Sequence, residues 1–373
     1  MSAEPLAVAI VGCGIIGLNH ARAILRHPDL VVVAVVDTDP LAAKTLANHL
    51  AAAGARRPSE CDSLAAALSS AAIHIVVICT PSGLHVRSAR EALEAGTHVF
   101  IEKPVDVSLP RAREIVELSQ HAESEGLVVS VVSQHRFDPA SRVVAHAVRS
   151  GSFGRISSAV ASVAWWRGQD YYDSGQWRGT WALDGGGALM NQGIHTLDLL
   201  LWFLGNPIEV NARTALLAHE RIQVEDVVVA TLSFESGALA VLHATTAAFP
   251  GGSARVQVHG DRGSAIIDDD RLEFFATADE PEKHAAHRVA PNELSSGDRD
   301  PDAFINGHLR QYDDLVSAIR ERRRPGVTVT DAYTSLAVVH AVYLSATLGR
   351  PVRLDEVLDG SLDEIVLATG GLS

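Results

Sequence analysis

The residues best suited to moving protons fall in two short segments. Glu102-Lys103-Pro104 follows the apolar run at 97–101. A lysine at the end of such a run can hydrogen-bond a substrate hydroxyl or carbonyl, and burial would lower its pKa towards acid–base use. Taken alone, Glu-Lys also reads as a surface ion pair and Pro104 as a loop breaker. The second segment runs from Gly185-Gly186-Gly187 to Asp198. On a helix Asn191, His195 and Asp198 sit at i, i+4 and i+7, on one face. An imidazole there suits a general base near neutral pH, although a lone helical histidine is more often a surface or core residue. No second histidine or cysteine stands at ligand spacing beside it, so no metal is expected.

The start of the chain suits a nucleotide. Residues 6–37 read as an apolar strand, the turn Gly12-Cys13-Gly14-Ile15-Ile16-Gly17, a helix, and a second apolar strand ending in Asp37. Gly12 allows the tight turn and Gly14 lets the backbone approach a pyrophosphate. Gly17 lets the helix lie close on the sheet, with its N-terminus aimed at the phosphates. Asp37, 20 residues beyond Gly17, can accept hydrogen bonds from the adenosine ribose. A carboxylate repels a 2′-phosphate, and Thr38 rather than an arginine follows it. The expected cofactor is therefore NAD rather than NADP.

Four of the five tryptophans fall between 165 and 181, among Arg167, Tyr171, Tyr172, Trp177 and Arg178. Aromatic rings stack on sugar C–H faces and arginine grips carboxylates or phosphates. The segment reads as the rim of a pocket for a sugar, sugar acid or nucleotide sugar; a sheet cover or oligomer contact is the alternative.

These residues need elements to position them. Val- and Ile-rich strands fit 6–11, 31–37, 73–79, 97–101 and 127–132, with helices at 15–27, 40–50, 62–69, 83–95 and 108–125 between them. That alternation implies a doubly wound parallel sheet, with ligands at the carboxyl ends of its strands. Cys79-Thr80-Pro81, followed by His85, and Glu102-Lys103 both stand at such ends. Beyond residue 134 a helix fits 139–150. Strands then fit 155–165, 207–217, 224–234, 238–247 and 254–260, with Glu235-Ser236-Gly237 as a hairpin turn. A helix fits 187–204, an irregular loop 278–303, and two helices 306–322 and 331–348. The reading is an α/β chain: a Rossmann domain at 1–133, then an α/β domain at 134–373 on an open, mostly antiparallel sheet. An uncovered sheet face calls for a partner, often a second subunit.

With 373 residues the chain can build two such cores. A net charge of −14 argues against nucleic acid or an anionic membrane as partner. Cys13, Cys61 and Cys79 do not suit a disulfide framework, which points to the cytoplasm. No signal peptide and no membrane span are read.

In this order, the glycine turn, Thr80-Pro81…His85, Glu102-Lys103-Pro104, Gln134-His135-Arg136-Phe137 and the glycine-led helix with His195 resemble the glucose–fructose oxidoreductase / inositol dehydrogenase / MocA family. The resemblance covers roughly residues 5–350. It implies an NAD-dependent dehydrogenase acting on a secondary alcohol of a sugar, cyclitol or polyol, assembled as a dimer or tetramer through the C-terminal sheet. It implies a cofactor set of Gly12, Gly14, Ile15, Ile16, Asp37, Thr80, Pro81, His85, Glu102, Lys103 and Gln134. His195 would be the general base and Lys103 would orient the reacting oxygen, with Asn191, Trp177 and Arg178 at the substrate. Inositol-dehydrogenase-like members carry Asp where this chain has Asn191; an amide cannot ionise, and Asp198 is the other carboxylate nearby. Two other activities fit the same resemblance: glycoside cleavage through transient oxidation by tightly held NAD, and nucleotide sensing without catalysis.

Overall fold

The computed structural model describes residues 4–280, 285–294 and 302–369. The chain forms two compact units. The first is Met1–Gln134 with Pro301–Tyr333, the second His135–Asp300 with Thr334–Ser373. The first cut falls beside the 133/134 boundary read from sequence; the return of 301–333 to the first unit has no counterpart there.

In the first unit strands and helices alternate: β1 (Leu6–Val11), α1 (Ile15–Arg26), β2 (Leu30–Val36), α2 (Pro40–Ala52), β3 (Ser59–Cys61), α3 (Leu64–Ser70), β4 (Ile75–Ile78), α4 (His85–Glu94), β5 (His98–Ile101), α5 (Leu109–Ser124) and β6 (Val129–Val131). The strands pair in parallel in the order β3-β2-β1-β4-β5-β6. Successive residues of β4 and β5, such as Val76, Val77, Val99 and Phe100, are fully buried, as expected for strands covered on both faces. Asp39 starts α2 by accepting the Leu41 N–H at 2.9 Å, with Pro40 just inside. The short edge strand β3 went unread because Ser59-Glu60-Cys61 carries no apolar signal. The helix Ala303–Glu321 (α10) belongs to this unit because it buries Tyr312, Leu315 and Val316 in the same core as Ile24 and Phe100.

The second unit contains α6 (Pro139–Arg149), β7 (Ile156–Ala164), α7 (Gln169–Asp173), α8 (Ile194–Leu204), β8 (Pro207–Ala215), β9 (Val227–Phe234), β10 (Leu239–Thr245), β11 (Ala254–Gly260), β12 (Gly263–Asp268), β13 (Arg271–Thr277), α9 (Ala285–Arg288), β14 (Val352–Arg353) and α12 (Leu354–Leu358). The helix α11 (Val329–Leu348) begins in the first unit and belongs to the second from Thr334. Eight strands form one sheet in the order β13-β12-β11-β7-β10-β9-β8-β14, antiparallel except for β7 beside β10. One face buries Phe153, Phe203, Val256, Val258, Ile267 and Phe275. The other leaves Val229, Leu239 and Val241 exposed, on paired strands.

Three strands of the second unit exceed the sequence reading: β12, β13 and β14. The β12–β13 hairpin turns through Asp269 and Asp270, with φ of 44° and 66°. Aspartate tolerates that left-handed backbone, so no glycine marked the turn. The expected helix 187–204 is also corrected: Leu189–Gly193 is a π turn and α8 begins only at Ile194. The loop at 278–303 lies partly outside the described residues; within them it forms α9 and a short turn at Pro291–Glu293. No helix among the described residues is long and apolar enough to cross a membrane.

Candidate active site

Three loops of the first unit follow the carboxyl ends of β1, β4 and β5, around the switch point between β1 and β4 where such sheets bind ligands. Gly12 has φ +99°, and a Cβ there would lie 2.5 Å from the Cys79 carbonyl oxygen. A Cβ on Gly17 would lie 2.1 Å from the Gly12 carbonyl oxygen. Gly14 differs: a Cβ there would meet no atom within 4 Å, so the space above it is open. Beside it Ile15 is 76% exposed in the first turn of α1, unusual for an isoleucine. Asp37 stands at the lip of this turn, its Oδ2 accepting the Cys13 N–H at 2.8 Å and its Oδ1 the Asp39 N–H at 2.9 Å. Burial, reinforced by Asp37, pushes the Cys13 thiol up to about 12, so it stays protonated. Thr80 Oγ1 is buried without a hydrogen-bond partner among the described residues. An open glycine, an exposed apolar first turn, an anchored carboxylate and an orphan hydroxyl fit a dinucleotide.

Lys103 is half-buried and its neighbours hold its backbone from both sides. Glu102 Oε2 accepts the Lys103 N–H at 2.9 Å, while Oε1 lies 2.9 Å from His20 Nε2 and 3.6 Å from His308 Nε2. Burial opposes the Glu102 charge, but the two histidines outweigh it and hold the carboxyl well below its usual range. His85 Nδ1 lies 2.7 Å from the Pro104 carbonyl oxygen and Nε2 2.9 Å from that of Thr80. Burial pushes the His85 pKa down. The sequence reading placed Glu102 and His85 against the cofactor; the structure turns both inward, where they brace the loops that carry Thr80 and Lys103. Gln134, also expected there, is 2% exposed. Pro81 is exposed at the start of the turn before α4.

Asn191, His195, Trp177 and Arg178 belong to the second unit. The glycine run ahead of Asn191 and His195 meets close approach: a Cβ on Gly187 would lie 1.7 Å from the Glu225 carbonyl oxygen. The Glu225 side chain, fully buried, accepts the N–H groups of Gly187 at 2.8 Å and Leu189 at 3.0 Å, and the Tyr343 hydroxyl at 3.0 Å. Burial nevertheless pushes its carboxyl up to about 7 against these three donors. The π turn follows, a widening frequent at functional sites. Asn191 donates from Nδ2 to the Gly186 carbonyl at 3.1 Å, which fixes its amide.

Asn191 and His195 are both half-exposed, whereas Asp198 is buried. Asn191 lies in the π turn and His195 and Asp198 in α8, so the regular i, i+4, i+7 spacing of the sequence reading does not apply, and Asp198 is turned inward. Its oxygens take a bidentate pair of bonds from Arg136, at 2.7 and 2.6 Å, and one from Ser335 at 3.1 Å. A buried guanidinium needs such a partner, so this carboxylate closes an ion pair rather than replacing the missing acid at 191.

Three residues, His135, Asp270 and Glu225, escaped the sequence reading as site residues. The ring of His135 meets that of His195 edge-on, with centroids 5.1 Å apart. His135 Nδ1 lies 2.9 Å from Asp138 and 3.0 Å from Asp270. Burial opposes its charge, but the two carboxylates outweigh it and hold the imidazole well above its ordinary range. His135 was visible in the Gln134–Phe137 motif; Asp270 arrives on the unread hairpin. Glu225 had a signal, two adjacent acids opening an apolar run.

The aromatic segment is a guanidinium stack. Arg178 lies 4.3 Å from the Tyr171 ring centre and 4.5 Å from that of Trp177; Arg167 lies 5.3 Å from both Trp165 and Tyr171. Gln192 donates to the Tyr171 hydroxyl at 3.2 Å, which joins this stack to the π turn.

The parallel sheet, its glycine turn and the anchored acid define a nucleotide-binding oxidoreductase fold. Residues 6–133 match the model described as "Oxidoreductase family, NAD-binding Rossmann fold", and residues 141–266 the "GFO/IDH/MocA C-terminal domain". The chain belongs to the GFO/IDH/MocA family and is an NAD-binding oxidoreductase. It is similar to the WlbA dehydrogenase from Bordetella pertussis, solved with NADH and UDP-GlcNAcA: 31% identity, TM-score 0.81, 95% of this chain and 99% of that one covered. The corresponding dehydrogenase from Chromobacterium violaceum, with the same two ligands, is 30% identical with a TM-score of 0.79, covering 95% and 97%. Inositol 2-dehydrogenase from Rhizobium meliloti is 25% identical over 92% of this chain and 98% of its own length.

Proposed function

We propose that this enzyme exchanges hydride between NAD and a secondary alcohol of a sugar, cyclitol or related polyol, with Lys103 and His195 acting on the same substrate oxygen. NAD⁺, which the glycine turn and Asp37 would hold, would supply the acceptor for hydride from the carbinol carbon. His195 takes the hydroxyl proton as the carbonyl forms, and Lys103 orients and polarises that oxygen. Asn191, its amide fixed by Gly186, holds a second substrate hydroxyl. Residues 1–133 bind the cofactor, and residues 134–373 bind substrate and carry the subunit contact. The observation that carries the reading is the Lys103 turn, braced by Glu102 and His85 at the same sheet edge as the open glycine turn.

The substrate class follows from the stack of Arg167 and Arg178 on Trp165, Tyr171 and Trp177. Flat rings suit a sugar face, and two guanidinium groups suit a carboxylate or phosphate on it. The named ligand of the two WlbA relatives, UDP-GlcNAcA, supports an acidic sugar. The open sheet face supports a homodimer or homotetramer, and three free thiols support a cytoplasmic setting.

The test is a panel of inositols, hexoses, hexuronic acids and nucleotide-linked sugar acids, offered with NAD⁺ and NADP⁺ side by side. Nicotinamide reduction with NAD⁺ is expected for at least one acidic sugar, with kcat/KM for NADP⁺ lower by about tenfold or more. Absence of reduction across the panel with either cofactor overturns the proposal.

A further inference from the structure

Arg167 and Arg178 lie over one and the same ring. The guanidinium carbon of Arg167 is 5.3 Å from the centre of Tyr171 and that of Arg178 is 4.3 Å from it. Each also lies over a tryptophan, Arg167 over Trp165 at 5.3 Å and Arg178 over Trp177 at 4.5 Å. A ring engages the charge of a guanidinium but takes up few of its N–H donors, which still call for an acceptor. Neither side chain has an ion pair or a hydrogen bond among the described residues, and the Arg167 Nε is buried without a partner. Asp173, an acid of the same segment, binds Arg221 instead, at 2.8 Å. Two half-buried like charges beside one ring repel each other until an anion joins them.

The backbone holds Arg167 in this place. Its N–H donates to the Thr246 carbonyl at 2.9 Å, and its own carbonyl oxygen lies 2.7 Å from His219 Nε2. At the other end of Tyr171, Gln192 Nε2 lies 3.2 Å from the hydroxyl. Gln192 is 6% exposed, and its Oε1 is buried with no hydrogen-bond partner among the described residues. Turning the amide over only exchanges the orphan atom. A ligand hydroxyl, which both donates and accepts, satisfies it either way.

The number of charges selects the anion. Elsewhere in this unit a single guanidinium serves a carboxylate: Arg136 binds both oxygens of Asp198, at 2.7 and 2.6 Å. Two unpaired guanidinium groups match a group of about two negative charges with several acceptor oxygens. A phosphate monoester or a pyrophosphate supplies that, and a carboxylate does not.

We propose that Arg167 and Arg178, with Tyr171 as their common platform, form a subsite for a phosphoryl group, and that Gln192 takes a hydroxyl of the sugar that carries it. The substrate is then a sugar monophosphate or a nucleotide-linked sugar. That the ligand is the substrate rests on the dehydrogenase reading given above; the phosphoryl subsite itself does not.

Titration calorimetry on the full chain tests the subsite without turnover. NADH is kept saturating, so that the glycine turn is filled and does not take the probes. The probes are sodium pyrophosphate, glucose 1-phosphate, UDP-glucose and glucuronic acid. Pyrophosphate and at least one of the two phosphorylated sugars are expected to bind about tenfold or more tighter than glucuronic acid. Tighter binding of glucose 1-phosphate assigns the group to a monophosphate, tighter binding of UDP-glucose to a nucleotide-linked sugar, and both support the subsite. Arg167→Met and Arg178→Met keep a long side chain against the rings. Each is expected to weaken pyrophosphate and the phosphorylated sugar by about tenfold or more, with the Kd for NADH within about threefold. Arg167→Lys and Arg178→Lys keep the charge without the fork and serve where a methionine variant does not fold; a smaller loss is expected. Gln192→Leu should weaken the phosphorylated sugar by about fivefold and leave pyrophosphate, which has no sugar hydroxyl, unchanged. Absence of phosphoryl binding, glucuronic acid bound as tightly, or unchanged phosphoryl binding in the folded arginine variants overturns the proposal. An equal effect of Gln192→Leu on both probes overturns the hydroxyl contact. A protein that binds these probes but reduces no NAD⁺ keeps the subsite and loses the dehydrogenase reading; one that oxidises glucuronic acid without phosphoryl binding does the reverse.

Discussion

Glu225 is a carboxyl group with no exposed surface, and the reason it persists is the backbone it holds. Its two oxygens collect the N–H groups of Gly187 and Leu189, which the turn into the π helix leaves without partners. Burial pushes its pKa from an ordinary carboxyl value up to about 7. In the unfolded chain the group loses its proton near its ordinary value. Between that pH and about 7 the folded state binds more protons, so this contribution to stability falls as pH rises through the window. Urea unfolding of the native chain and of Glu225→Gln should therefore show a free-energy difference that declines by about 3 kcal/mol between pH 4 and 8. A difference that is flat or grows with pH would show that the three donors, not burial, govern the group. Lys103 and His195 could be singled out from residue type and position alone. Glu225, His135 and Asp270 are defined by what they touch across the fold, and a linear sequence carries no such distances.

Elements were most legible where one physical cause acts alone. The parallel strands are nearly continuous Val and Ile because both faces are covered, so β1, β2, β4 and β5 stand out from the chain. Gly96, Gly126 and Gly237 mark helix ends and a hairpin because only their backbone turns left-handed there, with φ of 74°, 86° and 84°. Elements were hidden where the usual marker is replaced. Aspartates turn the β12–β13 hairpin, so the sequence reading assigns no element to its strands. The π turn at Leu189–Gly193 has ordinary helical composition, and it follows the point where Gly187 passes against Glu225, a tertiary contact. In the regular helix beyond it, Asp198 is buried against Arg136 while His195 stays accessible.

At the scale of the whole molecule the open sheet face is the feature that a lone chain leaves unexplained. Val229, Leu239 and Val241 are 50%, 60% and 42% exposed on neighbouring strands. Placing a second copy over this face would remove them from water. Val241→Asp is expected to lower the mass measured by light scattering from that of a dimer or tetramer, with the urea midpoint of the separated chain near that of its parent. A monomeric parent protein, or an unchanged mass in the variant, contradicts the subunit contact. The central claim is that Lys103 and His195 work on one substrate oxygen. Its most direct test is turnover of Lys103→Ala and His195→Ala on the substrate found with NAD⁺, alongside NADH binding by fluorescence. The account predicts a loss of about 10²- to 10⁴-fold in kcat for each variant with NADH still bound. Turnover at the parent rate in both variants would contradict it.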